Sequence, residues 1–266
     1  MDDKLTYRTR LMRVSSRQRA PGSESATNFT VYYDTSDVID NVFRVVMIRA
    51  NMLNLFPNID HFNNTLKYSI DAVDYEVNVP VGQFNGQELG EALNALVGAH
   101  FTIAFDPTNK FLITAAATTL VIDGGDVLNT MSDHLGIVGV ETRAPGVSTF
   151  AGTFPDLAGP KLVYVELPDI CSSNCLDTRA FTAKHTSADS GGYLSLLDVI
   201  GLAETPYGFI RHWEAHDVLS SDIDLMKAIS LRRLNFRLTN GHGQCLTLPP
   251  NQECDFILKV FYKPTI

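Results

Sequence analysis

"RRLNFRLTNGHGQCL" (Arg232–Leu246) and "DFILKVFYKP" (Asp255–Pro264) close the chain. The first reads as a strand running into a polar turn with Asn and Gly, and the second as an apolar strand. β-branched and aromatic residues bounded by turn residues are the mark of sheet. Working back from this end, the same grammar recurs. "NFTVYY" (28–33), "FRVVMIRANMLNLF" (43–56), "TLKYSI" (65–70), "YEVNVPV" (75–81), "TTLVIDG" (118–124), "PKLVYVELPDI" (160–170), "YLSLLDVIGL" (193–202), "YGFIRHWEA" (207–215) and "SLRRLNFRLT" (230–239) all read as strands. "FTIAFDPTNKFLITA" (101–115) reads as a hairpin, with Asp-Pro-Thr-Asn-Lys supplying the turn. Ten to twelve short strands without an internal repeat indicate a sandwich or barrel.

Two helices interrupt this pattern. In "NGQELGEALNALVG" (85–98), Leu89, Leu93, Leu96 and Val97 recur at helical spacing. Asn85 is placed to cap the first turn, with Glu88 three residues on and Gly98 as the stop. The spacing predicts a helix over 85–97 docked through Leu89, Leu93 and Leu96. "DVLNTMSDHLGI" (126–137) predicts a second, ended by Gly136. Residues 139–159 and 171–193 are rich in small and polar residues and read as long loops.

The 266 residues carry 21 basic and 30 acidic side chains, net −9. Within residues 1–20, Lys4, Arg8, Arg10, Arg13, Arg17 and Arg19 stand against Asp2 and Asp3. That leaves the segment at +4 and the remainder at −13. Followed by Pro21-Gly22, it reads as an extended arm over residues 1–25, with the folded body from 26 to 266. A basic arm on an acidic body suits a polyanion or an acidic neighbouring protein, and it equally suits a solubilising leader. No apolar run reaches the length of a membrane span, and the N-terminus has no secretory apolar core.

Chemistry is weakly signalled. "HWEAHD" (212–217) holds His212, Glu214 and His216, but a zincin needs Glu directly after the first His, on a helix. The string reads as a strand end. Of Cys171, Cys175, Cys245 and Cys254, the last two are too far apart for a zinc knuckle and the first two lie in a loop; a bridge within either pair is the alternative to free thiols, which are the default reading. Asp37 with Asp40, and Asp222 with Asp224, are close carboxylate pairs of the kind loops carry as solvated or capping groups. Phosphate-binding glycine loops and a nucleophile elbow are absent. The reading is of no enzyme, no cofactor and no metal.

The order of elements is more informative than any motif. A strand ending in "VPVGQF" (79–84) leads to a helix with "ELGEALNAL" (88–96). A hairpin with "FDPTNKFLIT" (105–114), another strand and a helix ending in "HLGI" (134–137) follow. This order resembles the penton and minor capsid proteins of large icosahedral DNA viruses, virophages and polinton-like elements. "PKLVYVELPDI" and the closing strand pair extend the resemblance over roughly residues 42–263. "HLGI" departs from the family's aromatic-ended stop.

The resemblance implies an antiparallel jelly-roll β-sandwich, all-β, with two short inserted helices and the extended N-terminal arm. It implies a structural virion protein, at the vertex or as a minor capsid component, made in the host cytoplasm or nucleus and residing in the capsid. Its partners would be copies of itself, as in a pentamer, and major or other minor capsid proteins. The arm, through Lys4, Arg8, Arg10, Arg13, Arg17 and Arg19, would contact a neighbour, the inner membrane or the genome. No small-molecule substrate is implied. A jelly-roll carbohydrate-binding or host-attachment protein is the rival reading, and a metal-dependent enzyme a more distant one.

Overall fold

Strand β1 (Arg8–Ser15) runs antiparallel to the last strand of the chain, from Arg8 opposite Tyr262 to Ser15 opposite Asp255. This corrects the expected arm. The arginines hid the strand, because an edge strand needs only part of one face to be apolar. Here Met12 and Val14 supply it and are buried. The computed structural model describes residues 7–23, 25–34, 36–171, 196–215, 222–241, 243–249 and 251–264.

Two compact units make up the chain: residues 1–56 with 160–266, and residues 57–159. The body is therefore not the one jelly-roll domain over 26–266 that the sequence suggested. In chain order the first unit begins with β1, β2 (Asn28–Tyr32) and β3 (Ile39–Leu53). The second unit holds β4 (Thr65–Ile70), β5 (Val73–Asn78), α1 (Gly86–Val97), β6 (Phe101–Phe105), β7 (Phe111–Ala115) and β8 (Leu120–Asp123). It ends with α2 (Ser132–Leu135), β9 (Val140–Arg143) and β10 (Ser148–Phe150). The first unit resumes with β11 (Leu162–Glu166), a single helical turn α3 (Pro168–Cys171), β12 (Leu196–Gly201) and β13 (Ile210–Glu214). It closes with β14 (Asp222–Leu231), β15 (Arg233–Thr239) and β16 (Cys254–Tyr262).

In the first unit, one sheet has the order β1-β16-β3, with β13 and β14 each pairing a different stretch of the long β3. The other has the order β12-β11-β15-β2. All pairings are antiparallel. Treating β13 and β14 as one position, the eight strand positions run 1-8-3-6 and 2-7-4-5. That is the strand order of a jelly roll, two Greek keys whose sheets share a core. Alternation builds this core. On β16, Cys254, Phe256, Leu258 and Val260 are buried and the intervening residues are not. Phe236 of β15 stacks between Phe29 and Phe256, at centroid distances of 5.3 and 5.2 Å.

The second unit sits in the chain between the third and fourth jelly-roll strand positions. Its sheets have the orders β5-β4-β8-β9 and β10-β7-β6. The stretch 139–159, expected as loop, contributes β9 and β10 to them. The expected 171–193 loop lies almost wholly outside the described residues. Asn58 ties the start of this unit to its end, donating from Nδ2 to the Phe84 and Leu157 carbonyls at 2.8 and 3.0 Å.

Helix α1 carries the expected capping box. Asn85 Oδ1 accepts from the Glu88 amide, and Glu88 Oε2 accepts from the Asn85 amide, both at 2.9 Å. Leu89, Leu93 and Val97 are buried, but Leu96 is exposed. The buried arc is turned toward Asn94, whose side chain bonds both the amide and the carbonyl of Ile103 on β6 at 2.7 Å. With successive residues about 100° apart, that rotation brings Val97 inward and carries Leu96 out. Gly136 ends α2 at φ 71°, and a Cβ there would lie 2.3 Å from the Thr153 carbonyl oxygen. Glycine is required on both counts.

Candidate interaction surface

The basic residues singled out from the sequence come together along one edge of the jelly roll. Arg8, Arg10 and Arg13 project from β1, and Arg17 and Arg19 lie in and beside the helical turn Ser16–Gln18 that follows it. Lys4 lies outside the described residues. Arg10 pairs with Asp37 at 2.7 Å, Arg13 with Asp255 at 3.1 Å and Arg17 with Glu253 at 3.5 Å. Arg19 donates to the Ser16 carbonyl at 3.0 Å. Such exposed pairs contribute about 0–1 kcal/mol each, so they hold the side chains loosely and leave donors for a partner.

Beside these cations runs an aromatic cluster on the outer face of the β1-β16-β3 sheet. Tyr7 lies 6.2 Å from Phe43 and 5.9 Å from Phe261. The Lys259 ammonium and Arg44 guanidinium sit 5.2 and 5.8 Å from the Phe261 ring centre. Exposed Leu11 adds to the apolar surface of β1. Sequence reading missed this cluster, because Phe261 lies more than 200 residues from both Tyr7 and Phe43 and no local pattern joins the three.

Charge is divided differently from the expected arm and body. Residues 57–159 hold 12 acidic and 3 basic side chains, net −9. The jelly-roll unit holds 18 of each and is neutral. Of the three cations in the inserted unit, Arg143 is buried beside Glu141, Lys67 pairs with Glu76 at 3.4 Å, and Lys110 lies over the Phe154 ring. The surface of this unit is therefore strongly anionic.

The strings weighed for chemistry are spent on structure. His212 Nδ1 bonds Asn51 Oδ1 at 2.6 Å, and Glu214 pairs with Arg49 at 2.5 Å, both across the β13–β3 ladder. His216 lies outside the described residues. Asp37 faces Arg10, and Asp40 accepts from the Ser230 hydroxyl. The side chains of Asp222 and Asp224 are not among those described. Cys245 and Cys254 are free thiols. Burial, with Asp255 adding to it, pushes the Cys254 thiol up to about 12, which makes it a poor nucleophile. Cys175 and the Cys171 side chain lie outside the described set. Among the described residues no group of three His, Cys, Asp or Glu converges as a metal site, and no helix is long and apolar enough to cross a membrane.

The chain matches no protein-family model and no curated protein. Among the solved structures it is similar to is that of the selenomethionine-labelled penton protein of mavirus. The two share 11% identity over 95% of this chain and 99% of that one, with a TM-score of 0.48. So distant a likeness carries no argument by itself.

Proposed function

We propose that this chain is a structural capsid protein of an icosahedral virus, a vertex (penton) or minor capsid component that works by assembly and carries no chemistry. The observation that supports this best is the strand order: two antiparallel sheets in jelly-roll order, with a separate unit inserted after the third strand position. Jelly rolls serve capsids and lectins alike, so the fold narrows the function without fixing it. The sequence of motifs from "VPVGQF" to "HLGI", which fills the inserted unit, favours the capsid reading. On this reading the partners are copies of the chain, in a ring such as a pentamer, together with major capsid proteins, and the protein resides in the virion.

Two measurements test it together. Native mass spectrometry of the purified protein is expected to give a closed oligomer. A reconstruction of particles containing the chain is expected to place it at or beside the vertices. A chain absent from particles that binds a defined glycan stoichiometrically would overturn the reading in favour of a carbohydrate-binding jelly roll.

A further inference from the structure

Among the described residues, two strands lie at sheet edges and carry charge of a single sign. Strand β1 bounds its sheet with Arg8, Arg10 and Arg13 and no carboxylate. Strand β5 bounds the β5-β4-β8-β9 sheet with Asp74 and Glu76 and no cation. Both are exposed over most of their length. The other edge strands differ. β2, β6 and β10 bear no charge, β9, β13 and β14 mix signs, and the one acid of β12, Asp198, is buried.

An unpaired strand edge is a template for another strand, and charge is one way proteins restrict which strand it accepts. Pairing β1 with a second β1 sets arginine against arginine. Pairing β5 with a second β5 sets carboxylate against carboxylate. Like charges in cross-strand register destabilise, whereas opposite charges stabilise. Each edge therefore blocks pairing with itself and leaves pairing with the other open. Apolar side chains at both edges give such a contact something to bury. Tyr7 and Leu11 are 58% and 63% exposed on the β1 side, and Val73 is 56% exposed on β5. An open cleft of about 320 Å³ beside β5 has four carboxylates in its lining, Asp74, Glu76, Asp123 and Asp126, against the single cation Lys67, and extends the negative surface.

We propose that strand β1 of one copy pairs with strand β5 of a second copy, the arginines of one edge meeting the carboxylates of the other. This deepens the capsid reading, and rests on it for its purpose. The contact is head-to-tail, joining the jelly roll of one subunit to the inserted unit of the next. Repetition of such a contact builds a ring where the rotation closes and a filament where it does not.

The test is a pair of charge-reversed full-length proteins. One carries Arg8→Glu with Arg13→Glu, so both of its edges are acidic. The other carries Asp74→Lys with Glu76→Lys, so both are basic. Sedimentation velocity is run at low and high salt on each alone and on their mixture. Wild type is expected to self-associate in a salt-sensitive way, and each reversed protein to associate about tenfold or more weakly. Mixing the two is expected to restore association, because each then finds an opposite edge. Damage to the fold cannot produce that rescue. Failure of the mixture to associate, or self-association indifferent to either reversal, overturns the interface and leaves the capsid reading standing. Normal self-association of the basic-edged protein with failure to enter particles makes a different capsid protein the occupant of β5, which also overturns it. A wild type that stays monomeric at every concentration and is missing from particles overturns both.

Discussion

The jelly roll and the inserted unit solve the same problem by opposite routes. The inserted unit is one continuous stretch, folded from hairpins and a capped helix, its strands pairing across at most 52 residues (Ser69 with Val121). The jelly roll is stitched from the two ends of the chain. Arg13 meets Asp255 across 242 residues, and the Ser16 hydroxyl accepts from the Cys254 amide across 238. Closing such loops costs chain entropy before any contact rewards it, so the two units should differ in how they fold and in what breaks them. They differ in surface too, one neutral and the other at −9.

The largest expected effect breaks the jelly roll alone. Deleting residues 8–15 removes buried Met12 and Val14 and bares the edge of β16. Burial of two such side chains is worth about 3–6 kcal/mol before the lost ladder is counted, against a typical total of about 5–15. The deletion is expected to abolish the jelly roll's cooperative melt while the α1 amides keep their exchange protection. An unaltered melt would mean that β1 is a loose arm after all.

Leu93→Ala probes the other side. Leu93 is 0% exposed between α1 and its sheet, and the truncation is expected to cost the inserted unit about 2–5 kcal/mol. If the two units unfold separately, calorimetry will show only one of two transitions moving. A joint shift of both would join them into one cooperative block. A smaller cut at the same helix sharpens the point. Asn85→Ala removes the cap and is expected to cost about 0.5–2 kcal/mol, read in the same transition. No change would mean that the rest of the first turn holds without it.

The same contrast decided what could be read from the sequence. The capping box, the Asp-Pro-Thr-Asn-Lys turn and the Gly136 stop are local chemistry, and the structure has them where the residues put them. Asn109 takes φ 61° in that turn, as its side chain permits. β1 was not legible, because its apolar pair is short and its partner comes 240 residues later. The aromatic cluster of Tyr7, Phe43 and Phe261, and the opposed charges of β1 and β5, appear only once the sheets are assembled. Leu96 failed for a related reason. A helical wheel fixes an apolar arc, but the Asn94 bonds to Ile103 choose how that arc is turned.

The smallest expected effect separates the units by pH. Glu166 is buried on β11, where the register shifts between Val165 and Glu166. Burial pushes its carboxyl above the ordinary 4.5, and the Thr239 hydroxyl at 2.6 Å and Arg237 at 3.8 Å only partly offset this. The folded jelly roll thus holds this proton to higher pH than the unfolded chain does. Its contribution to stability is full below 4.5 and is lost as pH rises through the folded value. Glu166→Gln keeps an oxygen to accept from Thr239 but cannot ionise. Thermal melts from about pH 4 to pH 8 are expected to show the jelly-roll transition of wild type falling relative to that of the variant as pH rises, with the inserted unit's transition the same in both proteins at each pH. Parallel curves for the two proteins would mean that Arg237 and Thr239 together hold the carboxylate as well as water does, and the buried Glu166 would then be no weak point of the fold.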